Sequence, residues 1–318
     1  MAFTKKALIV AFEYPCSDVS LYGPSTAALR MKECLVNYYG FLSEDVMLAI
    51  DDVPTLHPSF PKAQALQPSF FTVADDLIFN NSKNTKKQSK QSRTICTTLA
   101  KMVSQSNVGD TILFYYIGHG NRRQTSYTNN SGWEEFMLCG DGSRIYDYHL
   151  REVASYVPDG VNFTVVAECC NSGGLIEGLF EVIGNSTRSP VFGNKRPERN
   201  FGGNGLQNSP PLAVLISSTQ SNEGGAIGYN DNLKEHKCFL TDAIINIIMQ
   251  KEGIVTNLEL VKEVSRMFEE KNLEQSPGLY CNRGKENSYF LGLEGLKVKK
   301  KDKKKEDKVG KGKGKEKM

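Results

Sequence analysis

Long apolar runs are missing from this chain of 318 residues. The longest near its start, Ala7 to Phe12, is only six residues and follows Lys5 and Lys6. That is too short to cross a membrane and short for a secretory core, and no small-residue cleavage site follows it. A buried strand is the better reading. Paired Cys-x-x-Cys ligands are missing as well. The eight cysteines, Cys16, Cys34, Cys96, Cys139, Cys169, Cys170, Cys238 and Cys281, show no zinc-site spacing. Without a secretory signal they read as thiols in a reducing compartment, most of them small buried hydrophobes. No repeat period is visible. A hydrophobic content of 39% excludes wholesale disorder.

The net charge of +3 hides an asymmetry. From Lys297 to Met318 there are 12 lysines against 4 acids, which leaves the rest with 27 basic and 32 acidic side chains. The lysine-rich end holds too little apolar surface to fold. It reads as a solubilising tail, a nuclear-targeting segment or a contact for an anionic partner such as nucleic acid or acidic lipid. No aromatic residue is interleaved with its lysines, which argues against base stacking. The chain therefore reads as cytoplasmic or nuclear, without a membrane span.

Four segments are short, β-branched and apolar on both faces, as in strands buried within a parallel sheet: Lys6–Phe12, Asp110–Tyr116, Asn162–Ala167 and Leu212–Ser217. Val46–Ile50 is a weaker fifth. Amphipathic helices are expected over Ser25–Tyr39, Thr94–Ser104, Asp147–Ser155, Cys238–Gln250 and Asn257–Lys271, the last opened by Thr256-Asn257. This alternation predicts an α/β sandwich with a mainly parallel central sheet flanked by helices. Asn80–Arg93 reads as a polar surface insertion, and Gly184–Pro211 as a linker between a larger first part and a smaller second part.

Two strand ends carry candidate chemistry. One runs into Tyr116-Ile117-Gly118-His119-Gly120, the other into Glu168-Cys169-Cys170-Asn171-Ser172-Gly173-Gly174. In an open parallel sheet the carboxyl ends of the strands form the ligand crevice, so neighbouring strands would bring His119 and Cys170 to one edge. A free thiol has a pKa of about 8.5 and needs a base or cation beside it to ionise at neutral pH. His119 is the natural proton acceptor and later donor, and the amides of Cys170 and Gly120 are candidates for an oxyanion hole. Taken singly, a histidine or cysteine at a strand end is usually structural; it is the pairing on glycine-flanked turns that points to catalysis. Cys169 is the competing nucleophile, but alternation directs its side chain away from that of Cys170.

At these residues the sequence resembles the metacaspases, caspase-like proteases. The His119 and Cys170 turns look like the family's Tyr-Ser-Gly-His-Gly and Asp-Ser-Cys-His-Ser-Gly-Gly motifs, and their separation of 51 residues is similar to the roughly 50 of caspases. Leu21-Tyr22-Gly23 through Arg30-Met31 resembles the first strand–helix unit, Ile216 to Glu223 the start of the small subunit, and Ser276 to Cys281 the end of the plant type II small subunit. The resemblance implies a caspase-like three-layer sandwich. It has a large-subunit-like region over 1–183 with the insertion at 80–93, a linker over 184–211, a small-subunit-like region over 212–293 completing the same domain, and a tail over 294–318. It also implies a cysteine endopeptidase working through a Cys170–His119 dyad and a thioester, with roles in programmed cell death.

Other implied features depart from the family. The specificity pocket for Arg or Lys maps onto Ala27, Ile117 and Glu168, with only one carboxylate kept, so a less acidic and more apolar pocket is expected. A calcium-binding carboxylate cluster maps onto Asp141, Asp147, Tyr148 and Glu177, with Tyr148 standing where the family has an acid. Two further readings accompany the peptidase one. The first is a catalytically silent homologue that binds a partner, motivated by the pocket and by Asn171 in place of the motif's histidine. The second is a legumain-like peptidase, which shares the strand-end His-Gly and Cys-Ser-Gly arrangement.

Overall fold

The computed structural model describes residues 3–15, 17–51, 90–124, 132–184, 211–225, 227–230 and 235–293. The Gly184–Pro211 linker, apart from its two end residues, and the lysine-rich tail lie outside the described residues, as do Cys16 and the insertion as far as Ser89.

Seven strands form the main sheet: β1 (Lys5–Ala11), β2 (Val46–Ile50), β3 (Thr111–Ile117), β7 (Asn162–Glu168), β8 (Phe180–Ile183), β9 (Val214–Ser217) and β12 (Gly278–Cys281). Their order is β2-β1-β3-β7-β9-β12-β8. The first five are mutually parallel, whereas β12 runs antiparallel to both β9 and β8. All five strands expected from the sequence are present. β1, β3, β7 and β9 are buried on both faces, which is why the pattern there is continuous and not alternating, whereas the edge strand β2 is mostly half-buried.

Alternate residues supply two cores. On one face Ile9, Leu113, Tyr115, Ile117, Val166 and Ile216 pack with helices α1 (Pro24–Tyr38), α4 (Phe239–Gln250) and α5 (Asn257–Glu270). On the other, Leu8, Val10, Phe114, Tyr116, Val165 and Cys169 pack with α2 (Lys90–Ser104) and α3 (Asp147–Ser155). The result is the helix–sheet–helix sandwich of the caspase-like type.

Helix α2 starts at Lys90, so the last residues of the expected insertion, Lys90 to Arg93, belong to its first turn. Their polarity hid only the first turn of the helix expected over Thr94–Ser104, because the buried apolar positions Ile95, Leu99, Met102 and Val103 begin after that turn. Two small antiparallel sheets complete the strands among the described residues. One joins β4 (Gly120–Gln124), β5 (Trp133–Leu138) and β6 (Arg144–Tyr146); the other joins β10 (Ile227–Asn230) and β11 (Glu235–Cys238). No helix among the described residues is long and apolar enough to cross a membrane.

Candidate active site

Strands β3 and β7 are adjacent and parallel, and their ladder ends with Ile117 opposite Glu168. His119 and Cys170 each lie two residues beyond that pair, so they occupy equivalent positions past the carboxyl edge. They also share parity with Ile117 and Glu168, and so continue the same face of the sheet. Gly118 N–H donates to the Glu168 carbonyl at 3.2 Å, carrying the pairing one step past the strands.

Gly120 then brings the two turns together. A Cβ there would overlap the Cys170 carbonyl oxygen and come within 2.8 Å of Cys169 Sγ. Only glycine allows that approach.

The imidazole of His119 is half-buried, and its Nε2 lies 2.7 Å from the Val19 carbonyl oxygen. A carbonyl can only accept, so Nε2 carries the hydrogen, and in the neutral ring Nδ1 is left as the acceptor. Cys170 is half-buried, whereas Cys34, Cys96, Cys139, Cys169, Cys238 and Cys281 are buried. Burial pushes the thiols of Cys34, Cys139 and Cys281 up to about 12 and those of Cys169 and Cys238 well above the ordinary value. Such thiols stay protonated and inert. Cys169 faces the α2/α3 core, and Cys170 does not. The Gly225 N–H donates to Cys170 Sγ at 3.1 Å, and the thiol in turn lies 3.6 Å from the Gly225 carbonyl oxygen.

The turn carrying Cys170 is held by polar groups from the end of β9 and the segment after it. Asn171 adopts φ 52°, a left-handed conformation that asparagine tolerates. Its side-chain amide donates to the Ser221 carbonyl at 2.8 Å and its N–H to the Glu223 carbonyl at 2.9 Å. Ser172 and Thr219 pair through their hydroxyls at 3.1 Å. Gln220 donates to the Ser276 carbonyl at 2.9 Å and accepts from the Tyr280 hydroxyl at 2.6 Å. This explains chemically why the Ile216–Glu223 and Ser276–Cys281 stretches carry recognisable sequence: they brace the cysteine turn. Val19 and Gly225 were missed by sequence reasoning because both act through backbone atoms, which leave no residue-type signal.

The expected pocket residues gather on the same face as His119 and Cys170, but they are buried. Ala27 and Ile117 belong to the α1/α4/α5 core. The Glu168 carboxylate accepts from Leu240 N–H at 2.8 Å, from Thr241 N–H at 3.0 Å and from Thr241 Oγ1 at 2.5 Å. It therefore caps the N-terminus of α4 and is not aimed at an open pocket. Burial, outweighing these hydrogen bonds, raises it to about 7. Beside it, Asp242 is paired with Arg30 of α1.

The expected calcium residues do not form a ligand cluster. Among the described residues, no group of three or more His, Cys, Asp or Glu side chains could hold a metal ion. Asp141 accepts from Ser143 N–H at 3.0 Å and from Gln91 N–H at 3.1 Å, as a turn residue would. Asp147 is buried as the first residue of α3, with Oδ1 accepting from Tyr148 N–H at 2.7 Å. Glu177 offers its backbone carbonyl to Arg151 at 2.9 Å.

Comparison with known proteins agrees with this architecture. Residues 63–178, which include both His119 and Cys170, match the family described as metacaspase, peptidase C14 domain. Metacaspase-8 of Arabidopsis thaliana is 30% identical over 190 residues, covering 59% of this chain and 42% of its own length. The chain thus spans about two fifths of that relative. Inactive metacaspase-4 of Trypanosoma brucei brucei is 23% identical over 210 residues, covering 62% of this chain and 57% of its own length. The crystal structure of a Geobacter sulfurreducens protein shares the fold, with a TM-score of 0.51 and 16% identity over 88% of this chain and 93% of its own. The family match across both strand-end turns, the related plant sequences and the sandwich around them agree: over residues 63–178 the chain matches the metacaspase peptidase C14 domain, and it is similar to plant metacaspases.

Proposed function

We propose that the protein is a cysteine endopeptidase in which Cys170 is the nucleophile and His119 the proton carrier. The observation that carries this reading is the register: His119 and Cys170 stand at equivalent positions two residues past the last β3–β7 pair. The Val19 carbonyl on Nε2 keeps Nδ1 as the base. His119 takes the Cys170 proton, and the sulfur attacks the peptide carbonyl carbon. The C–N bond breaks as the imidazolium returns that proton to the amine, leaving a thioester. Water, deprotonated by His119, then adds to the thioester; the C–S bond breaks and the proton returns to sulfur, releasing a carboxylic acid product. The amides of Gly120 and Cys170 are the candidate donors to the oxyanion.

Specificity is shifted away from strictly basic residues. Glu168 is committed to α4, and Ala27 and Ile117 present no charge, so a desolvated substrate guanidinium would find no free partner among these residues.

The test is a peptide-library cleavage profile with and without calcium, run on the wild type, Cys170→Ala and His119→Ala. Cleavage that vanishes in both variants supports the reading. Activity surviving in Cys170→Ala refutes it, and a profile restricted to asparagine would favour the legumain-like alternative. The neutralised pocket also motivates the silent-homologue reading. A wild type that cleaves nothing and whose Cys170 shows no His119-dependent reactivity would select it.

A further inference from the structure

We propose that Tyr14 and Tyr116 are positioning residues whose hydroxyls fix the His119 backbone so that its imidazole meets Cys170. This rests on the peptidase reading and names the parts that hold its base. Among the described residues, Tyr14 and Tyr116 are the two whose hydroxyls touch the His119 backbone. The His119 N–H donates to Tyr14 Oη at 2.8 Å, and Tyr116 Oη donates to the His119 carbonyl at 2.7 Å. Tyr14 Oη donates in turn to the Leu138 carbonyl at 2.7 Å, and the two hydroxyls lie 3.1 Å apart. Leu138 N–H closes the network on the His119 carbonyl at 2.9 Å. Tyr116 Oη also lies 2.6 Å from the Leu138 carbonyl oxygen; with the Tyr116 hydrogen on His119 and the Tyr14 hydrogen on Leu138, each of the two carbonyls has a hydroxyl donor.

The sequence makes room for these hydroxyls. A Cβ on Gly118 would lie 2.7 Å from Tyr14 Oη and 2.8 Å from Tyr116 Oη. The glycine before the histidine is thus explained by the tyrosines and not by the substrate.

Tyr14 is itself held in place. Its φ is 51°, unusual for a non-glycine residue. Asp51 Oδ2 accepts from the Glu13 and Tyr14 N–H groups at 2.8 and 2.9 Å, and the hydroxyls of Ser17 and Ser20 donate to the Tyr14 carbonyl at 2.8 and 3.0 Å. The Tyr14 ring also lies against the imidazole, with centroids 4.8 Å apart. The same loop supplies the Val19 carbonyl that takes the Nε2 hydrogen. Tyr14 and Val19 therefore set between them the backbone position and the tautomer of His119. The titratable groups facing the hydroxyl pair are Cys139 and Cys169, whose thiols burial keeps neutral. Asp51 meets Tyr14 through the Tyr14 backbone N–H.

Alkylation of Cys170 by iodoacetamide, read peptide by peptide by mass spectrometry against pH, tests this without knowledge of the substrate. Tyr14→Phe keeps the ring and loses the hydroxyl. The alkylation rate at pH 6.5 should fall about tenfold, the effect of roughly one hydrogen bond. The pH midpoint should rise toward the ordinary thiol value of about 8.5. Tyr116→Phe should move the midpoint in the same direction. A purely structural role would lower the melting temperature and leave the midpoint alone.

Wild-type midpoints in both variants, with His119→Ala still shifting the profile, would overturn the positioning role and leave the peptidase reading intact. Failure of both variants to fold would also overturn it, assigning the hydroxyls to the core. A wild-type profile indifferent to His119→Ala would overturn the peptidase reading, and the positioning role with it.

Discussion

A single methyl at Gly120 should separate the two halves of the site. The added Cβ would overlap the Cys170 carbonyl oxygen and stand within 2.8 Å of Cys169 Sγ, with Cys169 Cβ at 3.1 Å. The overlap is with backbone and with a buried thiol, and neither can swing aside as the end of a flexible side chain can. The histidine turn, the cysteine turn or both must move, by on the order of 1 Å, a displacement that commonly costs about a hundredfold in rate. The stability cost should be about 1–3 kcal/mol, as for other overpacked sites. The assay pairs thermal unfolding with the rate of Cys170 alkylation and, once a peptide substrate is in hand, with kcat. Gly120→Ala should fold, lose a few degrees in melting temperature, and lose about two orders of magnitude in kcat with a smaller change in KM. Unchanged kcat in a folded variant would refute the reasoning, because it would mean that the close approach of the two turns has no part in the chemistry.

Two other substitutions probe the frame. Burial raises Glu168 from the ordinary carboxylate value of 4.5 to about 7, so the folded chain binds this proton more tightly than the unfolded chain does. Its contribution to stability is full below about pH 4.5 and declines until about pH 7, on the order of 3 kcal/mol in all. Glu168→Gln should abolish that decline in a series of pH-dependent melting curves; parallel curves for variant and wild type would contradict it. At the start of α5, Thr256 Oγ1 accepts from Glu259 N–H at 3.2 Å while the Glu259 carboxylate accepts from Thr256 N–H at 3.0 Å. Thr256→Ala should cost about 1 kcal/mol of stability and leave Cys170 reactivity unchanged, which thermal unfolding and alkylation measure separately.

What could be read from the sequence follows from which atoms do the work. Strands β1, β3, β7 and β9 are buried on both faces, so their side chains announce them. By contrast, β4 reads Gly120-Asn121-Arg122-Arg123-Gln124; it is set by its pairing with β5 and by the glycine it starts from, and no apolar pattern marks it. Strand β12 is four residues long and supports the cysteine turn through Tyr280, a contact made across 60 residues of chain. His119 and Cys170 stood out because two chemically suggestive side chains ended two recognisable strands. Val19 and Gly225 act through peptide groups and could be identified only once the chain was folded. Glu168 was visible as a carboxylate, but its use was not, because the helix it caps begins at Phe239, far along the chain.

Glu168, Asp242 and His119 show how the fold decides chemistry that composition leaves open. Glu168 and Asp242 carry the charge that would draw a cationic substrate, yet one is spent on the amides of α4 and the other on Arg30. His119, by contrast, has its backbone amide and carbonyl tied to tyrosine hydroxyls and one ring nitrogen tied to a carbonyl, and this leaves Nδ1 for proton transfer. Side-chain identity alone would rank the carboxylates as the more telling feature. Hydrogen-bond geometry reverses that ranking: Glu168 and Asp242 serve the frame, and His119 keeps Nδ1 outside it. On the peptidase reading proposed above, a change in the pocket is therefore separable from retention of His119 and Cys170.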